Sequence, residues 1–269
     1  ADTCARLWAA GGKFWPENER RLWRLTEAVG DRGVYIDQAA LADLTTKTEE
    51  RVAKCRGLLP WADKLPPTSS KALAAACKAA GIEVPPNTKD GDPDLDAWFG
   101  KEEVADSPAE RWVRTMQDFR RANRRLKLCD TIRSRIKPDG RMEAHLMYCG
   151  ASTGRWSGGG HGLNLQNLNT DTEEGDLRGV IAAPPGRKFI ILDFSQIEAR
   201  IVLWIAGEME TLGLVRNGCN LYEAHARATM GWAGGVLKTA DPTAYKLAKA
   251  RVLGLGFGCS AKKFAFVAK

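Results

Sequence analysis

KFIILDFSQIEAR, residues 188–200, is the stretch on which the reading of the fold turns. Phe189-Ile190-Ile191-Leu192 is a short apolar run of β-forming residues, long enough for one buried strand and too short for an independent helix. Asp193 ends the run, and Ser195 opens a helical pattern in which Ile197, Ile201, Leu203 and Trp204 recur with Glu198 and Arg200 between them. The spacing therefore puts a carboxylate where a buried strand surfaces. Such a position suits a hard cation, because Mg²⁺ takes oxygen ligands, usually one or two carboxylates plus substrate phosphates. The structural alternative is Asp193 as a helix N-cap that accepts a backbone N–H.

Working outward, the 269 residues suffice for one large or two modest units with a proper core. Formal charge is +7, and from Glu110 to Arg141 eleven Lys/Arg stand against four Asp/Glu, so the whole excess sits in one stretch. Within it Trp112, Met116, Phe119 and Leu126 form an apolar stripe at helical spacing, with Arg114, Arg120, Arg121, Arg124, Arg125 and Lys127 on other faces. A packed helix with a solvated basic side would read this way; the one-signed excess favours contact with backbone phosphates. The seven cysteines are scattered, with no C-x-x-C pair and no zinc-like spacing to the three histidines, as expected of reduced intracellular thiols. No apolar run reaches membrane-spanning length and the first residues lack a signal-peptide layout, so a cytosolic protein is expected.

Local signals place the remaining elements. Ala1–Ala10 reads as helix, and so does Pro16–Val29, with Leu22, Leu25, Thr26 and Val29 on one side and Gly30-Asp31-Arg32-Gly33 closing it. Val34-Tyr35-Ile36 is extended, and Asp37 caps a helix carrying Leu41, Leu44 and Val52. Pro60, Pro66 and Pro67 break the chain before a short helix capped by Ser69 and ended by Gly81. Pro85 to Ala105 is polar and acidic, expected to be an exposed tip or partly disordered. Lys137-Pro138-Asp139-Gly140 is a tight turn from which Arg141 to Met147 returns as a strand.

Asp193 to Arg200 resembles motif A of the family-A DNA polymerases, the group of bacterial DNA polymerase I and many bacteriophage replicases. Its usual form is DYSQIELR, and six of eight positions match. Thr153-Gly154-Arg155-Trp156-Ser157 and Asn164-Leu165-Gln166-Asn167-Leu168 resemble the family's TGRLSS…NLQN segment, which in relatives lies along the minor groove of the primer-template duplex. Arg and amide side chains suit that place, since minor-groove acceptors occur in every base pair. The spacer Gly158 to Gly162 departs from the family's content, and His161 reads as a loop residue. Tyr245 to Gly258 resembles motif B, R-x-x-x-K-x-x-x-F-G-x-x-Y-G, with Lys249, Gly254, Phe257 and Gly258 at family spacing. Tyr245 replaces its first arginine, Leu253 its aromatic and Phe257 its tyrosine; Lys246 can supply the missing cation. Steps of four put Lys249, Leu253 and Phe257 on one helix face.

The resemblance implies an α+β fold. Residues 1–12 would be the tail of a preceding exonuclease-like domain, 13–136 a mainly helical thumb, 137–212 the first half of a palm with an antiparallel sheet containing Phe189 to Leu192, and 213–269 the start of a helical fingers subdomain. It implies template-directed transfer of nucleotides from dNTPs to a primer 3′-OH, with two Mg²⁺ ions in the complete enzyme. Asp193 and the Phe194 carbonyl would bind metal, and Asp193 and Lys249 would be catalytic. Gln196, Glu198, Tyr222, Lys246, Lys249 and Phe257 would meet the nucleotide, Glu198 by crowding the 2′ position; the alternative for Tyr222 is a buried aromatic. Arg124, Arg125, Lys127, Thr153, Arg155, Asn164, Gln166, Asn167 and Arg178 would meet primer-template DNA. Nothing after Phe257 resembles motif C, the His-Asp-Glu hairpin that carries the second metal-binding aspartate. The expectation is a monomeric, bacteriophage-type fragment, inactive alone, in the cytoplasm of a bacterial or phage-infected cell. The other classes are a non-catalytic DNA-binding module derived from a polymerase and a metal-dependent nuclease.

Overall fold

The structure is a computed structural model that describes residues 15–159, 163–168 and 175–267, without the side chains of residues 257, 266 and 267. The reading of Ala1–Ala10 as helix, the segment 1–12 and His161 lie outside the described residues. The chain divides into two compact units, Ala1–Phe189 and Ile190–Lys269. Helices dominate both and the sheets are small and antiparallel, an α+β architecture.

In the first unit α1 (Glu17–Arg32) ends at Gly33, whose φ of 68° favours glycine. A Cβ there would also come 2.2 Å from the Met142 carbonyl oxygen, so the close approach of chain segments at this point needs the missing side chain. Strand β1 (Val34–Ile36) follows, and Asp37 caps α2 (Gln38–Gly57) by accepting the Ala40 N–H at 2.9 Å. Helix α3 (Ser70–Ala79) is capped by Ser69 as its sequence predicts. The long α5 (Pro108–Arg133) opens with a Ser107 cap and Pro108 in its first turn.

Strands β2 (Arg141–Met142), β3 (Leu146–Met147), β4 (Ser157–Gly158) and β5 (Ile181–Ala182) complete the unit. β1 is the middle strand of the order β2-β1-β5, pairing Val34 with Met142 and Ile36 with Ile181, while β3 pairs with β4. Two apolar clusters stabilise the unit, and α5 serves both. Its Val113 and Met116 join Leu73, Leu95, Trp98 and Val104, while its Cys129 and Ile132 join Ile36, Leu41, Leu44 and Met142. Arg51 and Asp118 pair at 2.7 Å between α2 and α5.

Several sequence expectations do not hold. The stretch from Pro85 to Ala105 is not a loose tip, because α4 (Pro93–Phe99) buries Leu95 and Trp98 in the first cluster and Trp98 donates its indole N–H to the Glu83 carbonyl at 3.1 Å. A few apolar side chains anchor a segment whose average composition is polar. On α1, Leu22, Leu25 and Val29 are exposed, and the buried positions are Thr26 and Gly30. Most consequentially, Phe189 to Leu192 is not a strand: it is irregular and exposed, from 56% at Phe189 to 90% at Leu192. Among the described residues no strand lies beside it to complete a ladder, and β propensity without partner hydrogen bonds does not make a sheet.

The second unit holds α6 (Ile197–Ile205), α7 (Met209–Arg216), α8 (Leu221–Thr229), α9 (Leu237–Ala240), α10 (Pro242–Gly254) and α11 (Ala261–Val267). Asn220 caps α8, and Asp241 caps α10 by accepting the Thr243 and Ala244 N–H groups. Its core is built from small residues, Ala199, Ala224, Ala226 and Ala248, with Val215, Leu221, Tyr222 and Leu237. Helix α10 stops at Gly254 and a 3-10 turn, Leu255–Phe257, takes over before Gly258 at φ 71°. The expected common helix face of Lys249, Leu253 and Phe257 is therefore interrupted, since the glycines of GLGFG withdraw helix propensity where the third residue would join it.

Candidate functional site

In the second unit the motif-A residues lead into α6. Asp193 and Phe194 are exposed, and the Phe194 carbonyl accepts the Ile197 N–H at 3.3 Å. Gln196 takes a left-handed conformation, φ 55° and ψ 34°, and forms the helix N-cap position without a side-chain cap. Asp193 is therefore not the cap, and its carboxylate is open to solvent. Glu198 stands exposed in the first turn of α6.

One carboxylate beside a backbone carbonyl suits a single hard cation that also takes phosphate oxygens. Among the described residues no three His, Cys, Asp or Glu side chains group as a metal cage. The donor set thus fits one ion and falls short of the carboxylates that two mutually repelling divalent ions need.

Helix α10 carries the two lysines of motif B. Ala248 and Ala250 are buried, while Lys246 and Lys249, three apart, are exposed on a shared face. The small alanines let α10 close on α8. Tyr222 is buried, with its ring edge-on to Tyr245 at 5.5 Å and 84°. This is the arrangement expected of the buried-aromatic alternative for Tyr222, and it explains Tyr245 as its packing partner. The Phe257 side chain lies outside the described residues.

The residues that sequence reading missed sit between α8 and α9. Glu223, 9% exposed, accepts from Arg227 Nη2 at 2.8 Å and from the Leu237 N–H at 3.0 Å, and Arg227 also donates to the Gly234 carbonyl at 2.7 Å. Arg227 beside it and the Leu237 N–H hold the Glu223 carboxyl below its ordinary range. The signal in the sequence was the i,i+4 Glu-to-Arg spacing.

In the first unit the basic stretch is less free than its charge suggests. Arg114 pairs with Glu110, Arg120 donates to the Thr88 carbonyl and hydroxyl, Arg121 pairs with Asp90 and Asp118, and Arg133 with Asp130. Arg124 and Lys127 are exposed and Arg125 is half-buried. The TGRWS and NLQN segments meet: Gln166 donates its amide to the Trp156 carbonyl at 3.2 Å, and Asn164 accepts the Gln166 N–H at 2.9 Å. A Cβ at Gly158 would lie 2.2 Å from the Asn164 side chain, so a glycine permits this approach. Thr153, Arg155 and Asn167 are exposed, while Arg178 donates to the Leu168 carbonyl at 3.1 Å. Asn164, Gln166 and Arg178 thus shape the segment as well as edging it.

Comparison with known proteins follows the same residues. A sequence model of DNA polymerase family A matches residues 63–268. The DNA polymerase of Bacillus phage SP02 is 28% identical over 249 residues, 80% of this chain and 37% of that protein. DNA polymerase I of Chloroflexus aurantiacus is 33% identical over 135 residues, 49% of this chain and 14% of that protein. The chain therefore spans well under half the length of these relatives. Its fold is similar to the polymerase domain of Pol1 from M. smegmatis, solved in complex with DNA primer-template and dNTP, at a TM-score of 0.65 and 22% identity, covering 87% of this chain and 41% of that one.

Proposed function

The chain belongs to DNA polymerase family A, and on that footing we propose that it is part of a template-directed DNA polymerase that transfers nucleotides from dNTPs to a primer 3′-OH. The observation that carries this reading is the exposed Asp193 and Phe194 ahead of α6, within the unit whose α10 presents Lys246 and Lys249. Asp193 and the Phe194 carbonyl would hold Mg²⁺, which when bound supplies positive charge to the phosphoryl oxygens. Lys249 neutralises the triphosphate, Lys246 adds a second cation, Glu198 excludes a 2′-hydroxyl, and Gln196 and Phe257 line the nucleotide. Primer-template DNA is met by Arg124, Arg125, Lys127, Thr153, Arg155 and Asn167, with Asn164, Gln166 and Arg178 behind them. The thumb, palm and fingers segments are proposed at 13–136, 137–212 and 213–269. Among the described residues no helix is long and apolar enough to cross a membrane; the proposed setting is bacterial or phage-infected cytoplasm, with the chain a monomer.

The single carboxylate and the uncovered Phe189–Leu192 run support a further part of the proposal: the second carboxylate and the strands that flank this run come from polymerase sequence outside these residues. The purified chain with Mg²⁺ and dNTPs is then expected to bind primer-template without extending it. Extension by this chain alone would overturn that part and leave the family role standing.

The lone carboxylate also favours, as the second reading, a binding module without chemistry. Extension restored by adding the remaining palm of a relative as a separate polypeptide supports the enzyme; DNA binding with no extension in that mixture supports the module. Duplex binding is expected to weaken steeply with salt. Replacing Arg124 and Lys127 together by alanine should reduce the slope of log affinity against log salt by about 2, at about 0.9 per phosphate contact. An unchanged slope would remove them from the interface.

A further inference from the structure

A half-open pocket of about 160 Å³ lies on the second unit, walled by Ala199, Val202 and Leu203 of α6 and by Val252 of α10, with His225 and Arg251 at its polar side. We propose that this cavity is a binding site for a small monoanion with an apolar body, an aromatic or branched aliphatic carboxylate, whose charged end pairs with Arg251.

The chemistry follows from what the walls lack. Arg251 is half-buried and enters no ion pair or side-chain hydrogen bond among the described residues, so a planar donor fork stands at the edge of an apolar hollow with no acceptor supplied by the fold. A carboxylate matches that fork through two parallel hydrogen bonds. His225 contributes no second full charge at neutral pH, because burial, then the neighbouring Arg251, pushes its imidazole down, against a smaller upward pull from Glu208. Its Nε2 already meets the Thr229 hydroxyl at 3.2 Å.

Size settles which anions qualify. A pocket of about 160 Å³ suits a guest of about benzene's size and is too small for a nucleoside triphosphate, so this is not the nucleotide site. The location gives an occupant leverage, since it would brace α6, which carries Glu198, against the end of α10, which carries Lys249. The inference is independent of the polymerase reading: it stands on Arg251 and the cavity alone.

The test uses the whole chain with benzoate as probe, benzylamine and benzyl alcohol as charge controls, and thermal unfolding plus amide NMR shifts as readouts. Benzoate is expected to raise the unfolding temperature and shift amides of α6 and α10, with benzylamine inert. Arg251→Gln should weaken benzoate at least about ten-fold, the value of a charge-assisted hydrogen bond, and Lys249→Gln should leave it unchanged. Val252→Phe, which fills the cavity, should abolish binding while the melting transition remains. Failure of benzoate to bind at tens of millimolar, equal binding of all three probes, or loss of binding in Lys249→Gln rather than Arg251→Gln would each overturn the proposal.

Discussion

Replacing Trp98 by alanine is expected to lower the unfolding free energy of the first unit by about 3–5 kcal/mol, the usual cost of emptying a tryptophan-sized core site. Trp98 is 2% exposed, packs with Leu73, Leu95, Val104 and Met116, and spends its indole N–H on Glu83. It stands in α4, whose flanking sequence from Pro85 to Ala105 is otherwise polar. Urea unfolding followed by circular dichroism measures the loss. A cost under about 1 kcal/mol, the level of ordinary surface changes, would mean that the α4 region is not part of the cooperative unit.

The second large effect belongs to Glu223. Glu223→Ala strips Arg227 of its carboxylate and leaves the buried Leu237 N–H without an acceptor, a loss of about 3 kcal/mol for the second unit. Glu223→Gln keeps an acceptor for Leu237 and should lose less. The pH dependence has a fixed sign. Because Arg227 holds the folded-state pKa below the unfolded value of about 4.3, the contribution is complete above that value and disappears as pH falls through the folded one. The difference between Glu223→Ala and the parent should therefore shrink in strong acid, toward the part that a neutral carboxyl keeps by accepting from Leu237, which a series of melts from neutral to acidic pH would show. A difference that grew toward acid would contradict the network.

What the sequence made legible was local. Asp37 and Ser69 each cap the helix that follows them, because a cap is decided within three residues. Motif A was readable as a string, and the match to DNA polymerase family A over residues 63–268 bears out the family it pointed to. What depended on distant partners was not readable. Phe189 to Leu192 has the composition of a strand, but a ladder is made by neighbours that periodicity does not supply. Trp98 was hidden because its contacts are with Leu73 and Met116, far along the chain. Tyr222 and Tyr245 each looked like a position in a motif; their edge-on contact is a property of α8 against α10. The basic stretch showed its charge but not how many of its arginines were already occupied, since Asp90 and Thr88 lie some thirty residues upstream.

The bare segment from Phe189 to Leu192 has a consequence for handling this polypeptide. Four adjoining greasy side chains on a backbone outside any sheet offer spare amide and carbonyl groups to whatever edge arrives first, and another molecule of the same protein serves as well as any intended neighbour. Concentrating the chain is therefore expected to favour edge-to-edge stacking, and covering this run with flanking strands should suppress it.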